Sequence, residues 1–447
     1  MTRTLAALAA DLAAGRATAR GLVEEALAAV ANPAGEGARA FISVAADRAR
    51  LEADAMDAAR KAGKAPSALA GIPFGVKDLF DVAGEVTAAG SALLKSAAPA
   101  TQDSDAVARL RDKGLIPLGR TNMTEFAYSG VGLNPHYGTP LSVYGRTEKR
   151  IPGGSSSGTA VAIAEGMVPF GLGTDTGGSC RIPAAFNAIT GFKPTASRVS
   201  RRGVYPLSGA FDSVGPLGQS VACCAAIDAI LADAPPPAFQ PRPVSAARIA
   251  VLSTYVLDGL DGAVSGDFER ALSSLAAKGA RLEHIAFPAL ANMPAYLKNG
   301  GIVAAEAWAH HAPIIARHEA EYDPRVVSRI RFGAQVTAEE LASLTAARAG
   351  LVADFGKWAE GFDAVLCPAV PMIPPRLAEL AEEGDYRRLN GMALRNTYVF
   401  NFLDACAISL PMSRPGSAPT GLMLALPGGR DTNLLALAAG VESALQG

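Results

Sequence analysis

The segment spanning residues 121–218 constrains this 447-residue chain more than any other part of it. The segment is rich in Gly, Ser, Thr and Pro, a composition that usually forms surface loops. It also contains the apolar runs AVAIAEG and VPFGLG, which require burial. Glycine allows a backbone to approach a ligand or another segment closely. A Gly/Ser-rich segment built into the core therefore predicts a functional backbone rather than a plain connection.

The composition indicates a globular protein of enzyme size and excludes several other classes. Hydrophobic residues make up 49% of the chain and charged residues 19%, which is enough to bury a large core. The net charge of −1 carries no electrostatic signature of a nucleic-acid or anionic-membrane partner. The N-terminal apolar stretch, residues 5–10, is too short for a signal peptide, and no apolar run reaches transmembrane length. We therefore expect neither nucleic acid nor membrane as a partner.

The cysteines and histidines show no pattern of a disulfide framework or a metal site. The chain has five cysteines and no CxxC pair, which favours free thiols in a reducing, cytoplasmic environment. The cysteines are Cys180, Cys223, Cys224, Cys367 and Cys406. The five histidines form no HExxH or comparable zinc spacing. We therefore expect no metal and no cofactor.

Short apolar segments alternate with helical ones along the chain. GIPFGVKD and LIPLGR have the character of strands, and DSDAVARLRDKG between them predicts an amphipathic helix that ends at Gly114. This alternation predicts an α/β fold, a mixed sheet covered by helices, in a single domain over residues 1–447. Its parts are N-terminal helices over residues 1–65, a Gly/Ser-rich core over 71–220, a surface excursion over 233–246 and a helical subregion over 290–360.

Three segments carry residues that are unusual for a plain core. GVKD places Lys77 at the end of an apolar strand, where, taken alone, a surface lysine is the simpler interpretation. Residues 153–158 (GGSSSG) and 173–183 (GTDTGGSCRIP) each place two glycines before a serine. Such a backbone can direct successive N–H groups at one point and bind an anion there.

Other motifs fit these glycine-rich segments less well. A phosphate-binding P-loop requires a lysine after its last glycine, and none follows Gly158. A dinucleotide fingerprint fails because Thr176 stands where the third glycine belongs. GSSSG does match a nucleophile elbow with Ser156 as the nucleophile of an α/β-hydrolase-type esterase, and Asp212 and His284 follow as candidate partners. That elbow needs a buried strand directly before it, whereas YGRTEKRIPG is polar, so this interpretation is the weaker alternative.

The segment GGSSSGTAVAIAEGMVPFGLGTDTGGSCRIPAAFNAITGFKPT resembles the amidase signature family, as do GIPFGVKDLF and GRTNMTEFA. The resemblance extends over nearly the whole chain, more weakly through FDAVLCPAVPMIPP and NFLDACAISLP. It implies a large, mostly parallel mixed sheet covered by helices on both faces, with a catalytic core over residues 71–220 and a substrate-side helical subregion over 290–360. It also implies an amidase that hydrolyses a carboxylic amide through a serine acyl-enzyme.

The resemblance implies a Ser-Ser-Lys triad in which Ser179 is the nucleophile, Ser155 the bridge and Lys77 the base. It further implies a cis peptide bond at or beside Gly154–Ser155. An exposed lysine is protonated at neutral pH, so Lys77 has to be buried to act as a base. One departure from the family is Ser157, where glycine is usual, and it adds a small side chain beside Ser155.

The resemblance also implies roles for residues around the triad. The oxyanion-hole candidates are the backbone N–H groups of Thr176, Gly177, Gly178 and Ser179, at the start of a helix-like segment whose dipole favours negative charge. The supporting residues are Ser156, Asp175 and Arg181. The substrate-binding candidates are Met123, Tyr128, Ser129 and Gly130, with Tyr296, Trp308, His310 and Arg331 as further candidates at the mouth.

The predicted function is hydrolysis of an amide C–N bond in a small, soluble substrate, without a cofactor. The competing function is the glutaminase (A) subunit of a tRNA-dependent amidotransferase. Those subunits carry a helix resembling EASSNLARYDGVRYG, whereas this chain reads AAEAWAHHAPIIARHEAEYDPRVVSRIRFG, which resembles the stand-alone amidases. Because family members often form dimers, a homodimer is compatible with the resemblance.

Overall fold

The computed structural model describes residues 3–234 and 240–446 and is organised around one sheet. The strands are β1 (Phe41–Val44), β2 (Pro73–Lys77), β3 (Ile116–Thr121), β4 (Phe170–Thr174), β5 (Thr190–Lys193), β6 (Val214–Gly218), β7 (Arg248–Leu252), β8 (Arg281–Ile285), β9 (Ala364–Pro368), β10 (Cys406–Pro411) and β11 (Gly421–Leu426). Their order across the sheet is β1-β3-β2-β4-β6-β5-β10-β11-β9-β7-β8.

Both strand directions occur in this sheet. β2 pairs in parallel with β3 and β4, and β7 pairs in parallel with β8 and β9. The pairs across the centre, and the pair formed by β1, are antiparallel. The short link between β10 and β11 permits only an antiparallel pair, because parallel neighbours need a long crossover. The predicted α/β fold with a large mixed sheet is confirmed. In the described residues four of its ten strand pairs are parallel, and these lie towards the two ends of the sheet.

Helices accompany the strands along the described chain. They are α1 (Leu5–Ala13), α2 (Ala19–Ala31), α3 (Gly37–Ala40), α4 (Ala46–Lys61), α5 (Asp105–Asp112), α6 (Ser157–Ala164), α7 (Arg181–Phe186), α8 (Val221–Leu231), α9 (Gly262–Ala277), α10 (Met293–Tyr296), α11 (Gly301–His318), α12 (Pro324–Arg331), α13 (Ala338–Trp358), α14 (Glu383–Phe402) and α15 (Asp431–Gln446). No helix of the described residues combines the length and apolar character that crossing a membrane requires.

The sheet is buried on both faces, as its central strands show. In β11, Leu422 and Leu424 belong to a core cluster with apolar residues of α9 and α15. The alternate residues Met423 and Ala425 belong to a second cluster, which includes Phe400 of α14. Successive side chains of a strand point to opposite faces, so helices pack against both sides of the sheet.

The predicted subregions correspond to elements of the structure, with one difference. Helices α1, α2 and α4 lie within residues 1–65, but Phe41–Val44 form the edge strand β1, which the sequence analysis missed. A four-residue strand is stabilised by its pairing with β3, a partner distant in sequence. The helical subregion over 290–360 contains α10 to α13. The surface excursion predicted over 233–246 lies partly outside the described residues.

Candidate active site

The parallel strands β2 and β4 bring two polar side chains to one edge of the sheet. Lys77, the last residue of β2, is fully buried, and its Nζ is hydrogen-bonded to Ser155 Oγ at 2.8 Å. The same nitrogen donates to Oγ1 of Thr174, the last residue of β4, at 2.7 Å. A neutral amine has two N–H groups and one lone pair, so it can donate to one hydroxyl and accept from the other.

Burial changes the acid–base chemistry of this lysine. Removal from water disfavours the charged ammonium and lowers the pKa of Lys77 to about 8. Nearby acidic groups, including Asp175 and Asp212, favour the charged form and offset part of this effect. A large fraction of Lys77 is therefore uncharged at mildly alkaline pH, as a general base requires.

The loop before α6 holds Ser155 in place. The Gly154–Ser155 peptide bond is cis, and the Ser155 carbonyl accepts a hydrogen bond from Thr124 N at 3.1 Å. Gly154 N donates to Gly130 O at 2.9 Å. A Cβ on Gly154 would lie 2.6 Å from Gly132 N, so only glycine permits this close approach.

Ser179 lies on the neighbouring loop, between β4 and α7. It is 3% exposed and lines a cavity, and its carbonyl accepts a hydrogen bond from Ser156 N at 3.3 Å. Among the described residues, no hydrogen bond joins the hydroxyls of Ser155 and Ser179. The structure thus brings Lys77 and Ser155 into contact and places Ser179 on the adjoining segment.

The segment 176–179 presents a row of free backbone donors. Within residues 3–234 and 240–446, none of its four N–H groups has a hydrogen-bond acceptor. Its other groups are engaged: Thr176 Oγ1 donates to Asp212 at 2.5 Å, and Gly177 O accepts from Thr397 Oγ1 at 2.7 Å. Gly178 has a φ of +133°, and a Cβ there would lie 2.1 Å from Thr397 Oγ1. Glycine is therefore required at this position.

A buried ion pair between Asp175 and Arg181 holds the segment 176–179 in place. Asp175 and Arg181 are both fully buried and lie 2.8 Å apart. Burial alone would raise the pKa of Asp175, but the Arg181 guanidinium outweighs it and lowers that pKa to about 2. Arg181 also donates to Thr397 O and Asn401 Oδ1 of α14. These contacts fit the supporting role that was predicted for the pair.

The structure contradicts the alternative in which Ser156 is the nucleophile of an esterase. Ser156 Oγ is buried and has no hydrogen-bond partner in the described chain. Asp212 accepts hydrogen bonds from Thr176 and from two backbone N–H groups, and His284 is an exposed residue of the edge strand β8. A catalytic triad needs its nucleophile within hydrogen-bond reach of the base. These three residues form no such arrangement.

A cavity of about 480 Å³ opens beside Ser179. Its wall consists of Ala127, Tyr128, Ser129, Thr176, Gly177, Ser179, Leu207, Tyr255, Leu297, Asn299, Gly300, Val303, Arg329, Phe332, Arg387, Gly391, Leu394, Arg395 and Tyr398. Apolar and aromatic side chains form most of this wall, as in many small-molecule sites.

The cavity includes only some of the substrate-binding candidates. Tyr128 and Ser129 line it, whereas Gly130 lies just behind the wall, where its N–H donates to Asn390 Oδ1. Met123 is not part of the cavity wall, and its side chain packs in the hydrophobic core instead. The four further candidates at the mouth, Tyr296, Trp308, His310 and Arg331, also lie outside the cavity wall.

Sequence reasoning missed Thr174 and the arginines of the cavity. Thr174 ends an apolar strand, GLGT, just as Lys77 ends GVK, and that parallel could have identified it. Arg329 lies on α12, in a helix with several charged residues, and the sequence contains no local signal that separates it from its neighbours.

The described residues contain no group of three or more His, Cys, Asp or Glu side chains arranged to hold a metal ion. All five cysteines are buried and free. Burial raises the pKa of the Cys223 thiol to about 12, which keeps it protonated at neutral pH.

Comparison with known proteins gives consistent matches over nearly the full length. The amidase family model matches residues 22–435. The 2-amino-5-chloromuconic acid deaminase of Comamonas testosteroni is 34% identical over 89% of this chain and 86% of its own. The A subunit of the glutamyl-tRNA(Gln) amidotransferase of Chromohalobacter salexigens is 32% identical over 98% of this chain and 95% of its own. A crystal structure of an amidase has a TM-score of 0.89 and 32% identity, with 99% of each chain covered. The chain therefore belongs to the amidase family and is an amidohydrolase, an enzyme that acts on carbon–nitrogen bonds.

Proposed function

We propose that this protein hydrolyses a small-molecule amide through a serine acyl-enzyme, with Ser179 as the nucleophile and Lys77 as the base. The observation that carries the proposal is the 2.8 Å hydrogen bond between the buried Lys77 amine and Ser155 Oγ, beside the segment that bears Ser179. A serine hydroxyl is a weak nucleophile and needs a base that removes its proton during attack. Lys77 is suited to that task because burial lowers its pKa to about 8.

The proton moves through Ser155. As Ser179 Oγ attacks the amide carbonyl, its proton passes to Ser155 Oγ, and the proton of Ser155 passes to Lys77 Nζ. This path needs the hydroxyls of Ser155 and Ser179 to face each other, and catalytic hydrogen bonds often tighten only when substrate is bound. The ammonium of Lys77 then returns a proton through Ser155 to the leaving ammonia or amine. Water hydrolyses the acyl-enzyme by the same route.

The free N–H groups of the segment 176–179 support the attack as an oxyanion hole. The tetrahedral intermediate carries a negative charge on the former carbonyl oxygen, and fixed N–H donors stabilise it without reorganisation. Loss of one such donor typically costs about 2.7–4 kcal/mol of transition-state stabilisation. Thr397 holds the Gly177 carbonyl, which keeps this backbone in one orientation.

The size of the cavity and the names of the relatives indicate which substrates to test. A volume of about 480 Å³ suits a small molecule. One relative is a deaminase of 2-amino-5-chloromuconic acid, and another is an amidotransferase A subunit, so glutaminase activity is the second candidate.

The proposed relay uses residues of this chain alone and needs no cofactor or partner subunit. The free cysteines fit a cytoplasmic enzyme, and a homodimer remains a prediction.

Ammonia release by the purified full-length chain tests the proposal. The panel contains glutamine, asparagine, simple aliphatic and aromatic amides, and monoamides of dicarboxylic acids. We expect turnover of a small amide other than glutamine, and its loss in Ser179→Ala with an unchanged circular dichroism spectrum. The matched control is Ser157→Ala, an adjacent buried serine outside the relay, which should retain activity.

Fluorophosphonate labelling provides an independent readout. The reagent should modify Ser179 in the wild type, and Lys77→Ala should suppress the labelling because the base is lost. Full activity of Lys77→Ala would refute the relay. Release of ammonia from glutamine alone would favour the amidotransferase subunit.

A further inference from the structure

Three arginines and no acidic residue line the described wall of the cavity. They are Arg329 of α12 and Arg387 and Arg395 of α14. A cleft that carries charge of one sign, with apolar walls, concentrates ligands of the opposite sign. The charge of this cavity therefore favours an anionic ligand over a neutral or cationic one.

Two of these arginines are already engaged by the protein. Arg395 donates to the carbonyls of Val256 and Asp258 and to Asn396 Oδ1. Arg387 forms an ion pair with Glu383 on the same helix. Each of these two guanidinium groups therefore already has a polar partner within the protein.

Arg329 differs because no hydrogen bond or ion pair of the described chain engages its side chain. Its guanidinium carbon lies 4.7 Å from the centre of the Tyr128 ring, another residue of the cavity wall. Within residues 3–234 and 240–446, its Nε is buried without a hydrogen-bond partner, and no hydrogen bond or ion pair engages the other two nitrogens. A buried guanidinium N–H without an acceptor is unfavourable, so a ligand that supplies an acceptor to Nε removes that cost.

The two carboxylates at the start of α12, those of Asp323 and Glu125, have other partners. Asp323, which caps α12, forms an ion pair with Arg325, whose Nε lies 3.3 Å from Asp323 Oδ1. The fully buried Glu125 accepts from Ser91 Oγ, His136 Nε2 and the backbone N–H of Asp323. The guanidinium of Arg329 therefore has no carboxylate counter-ion among the residues that the structure describes.

We infer that Arg329 is a specificity-determining residue that binds a carboxylate of the substrate, so that the preferred substrates are amides that also carry a carboxylate. The planar guanidinium matches a carboxylate through two parallel hydrogen bonds, which gives both strength and orientation. Stacking on Tyr128 holds the plane of the guanidinium, and Leu207, Val303 and Leu394 contact the body of the substrate. The inference rests on the proposed amide hydrolysis and names its substrate class.

The test compares acidic and neutral amides of equal length. The acids are succinamate, glutaramate and adipamate, and the neutral partners are the methyl esters of the same monoamides. For the wild type we expect a higher kcat/KM on at least one acid than on its ester. In Arg329→Gln the kcat/KM for that acid should fall roughly 10- to 100-fold, mainly through KM, because charge-assisted hydrogen bonds are lost. The ester should change less than about threefold, because it makes no such bonds.

The matched control is Arg331→Gln, at the end of the same helix, where the arginine pairs with Glu319 outside the cavity. It should leave the preference for acids unchanged. Arg329→Lys should recover only part of the lost affinity, because an ammonium cannot form the two parallel bonds. Equal losses on acid and ester, or an unchanged preference in Arg329→Gln, would overturn the inference while leaving amide hydrolysis intact.

A binding measurement separates this inference from the proposed function. Succinamate, glutaramate and adipamate are titrated calorimetrically into Ser179→Ala, with and without the Arg329→Gln substitution. Binding that is weakened tenfold or more by Arg329→Gln supports the carboxylate site even if the wild type hydrolyses none of these amides. Absence of binding by all three acids, or binding indifferent to Arg329, contradicts it.

Discussion

At the scale of single residues, the surroundings of Lys77 determine what its amine can do. A strand that carries Phe74 and Val76 into the core also carries Lys77 inside, where its Nζ meets the hydroxyls of Ser155 and Thr174. Neither hydroxyl carries a charge that would hold the ammonium, so desolvation dominates and lowers the pKa of Lys77 to about 8.

The pH dependence of kcat/KM should report this amine. The uncharged form is the base, so activity is lost as pH falls through the pKa: the rate should rise about tenfold per pH unit below pH 8 and level off above it. The measurement is kcat/KM from pH 6 to 10 on a neutral amide, which has no titrating group of its own. The residual activity of Lys77→Ala should lack this inflection. A wild-type profile that is flat from pH 6 to 9 would contradict the role of Lys77.

At the scale of elements, α14 holds the loop between β4 and α7. Arg181 at the start of α7 reaches Asn401 Oδ1 at 2.5 Å, and Asn401 Nδ2 donates to Asp175 Oδ1 at 2.9 Å. Thr397 of the same helix binds the Gly177 carbonyl. The orientation of the free N–H groups therefore depends on a helix more than 200 residues further along the chain.

Replacement of Arg181 should destabilise the protein strongly. Arg181→Met leaves Asp175 charged and fully buried without its partner, and breaking a buried pair on one side typically costs about 3–5 kcal/mol. Urea unfolding followed by circular dichroism measures the change in the free energy of unfolding. Arg202→Met is the control, because Arg202 is 69% exposed and exposed pairs contribute about 0–1 kcal/mol. A loss below about 1 kcal/mol in Arg181→Met would show that the pair does not anchor the loop.

At the scale of the whole molecule, the cavity is assembled from distant parts of the chain. Its wall combines the loop after β3, the segment 176–179, the helices α11 and α12, and α14. Glu125 joins two of these parts. It lies after β3, and its carboxylate accepts from the N–H of Asp323 at the start of α12 at 2.7 Å.

Replacement of Glu125 should weaken the attachment of α12 to the loop after β3. Glu125→Ala leaves the Asp323 N–H and the Ser91 hydroxyl without an acceptor, at about 1–3 kcal/mol for each buried group. We expect a lower free energy of unfolding, and a rise in KM for carboxylate-bearing amides that exceeds the change in kcat, because Arg329 lies on α12. The control is Glu321→Ala, an exposed residue near the start of the same helix. Equal effects of the two substitutions would show that the Glu125 carboxylate does not hold α12 in position.

The sequence by itself determined the mixed α/β fold, the apolar strand that ends at Lys77, and the glycine-rich motif that predicts Ser155 and Ser179 as site residues. These features can be read from short stretches of sequence: apolar runs define strands, and each glycine-rich loop is a contiguous motif. Tertiary structure alone decided that β1 is a strand, that Met123 lies in the core, and that Arg329 lines the cavity with no counter-ion in the described part of the chain. Each depends on contacts with residues distant along the chain, and burial and charge pairing are properties of those contacts rather than of the residue itself.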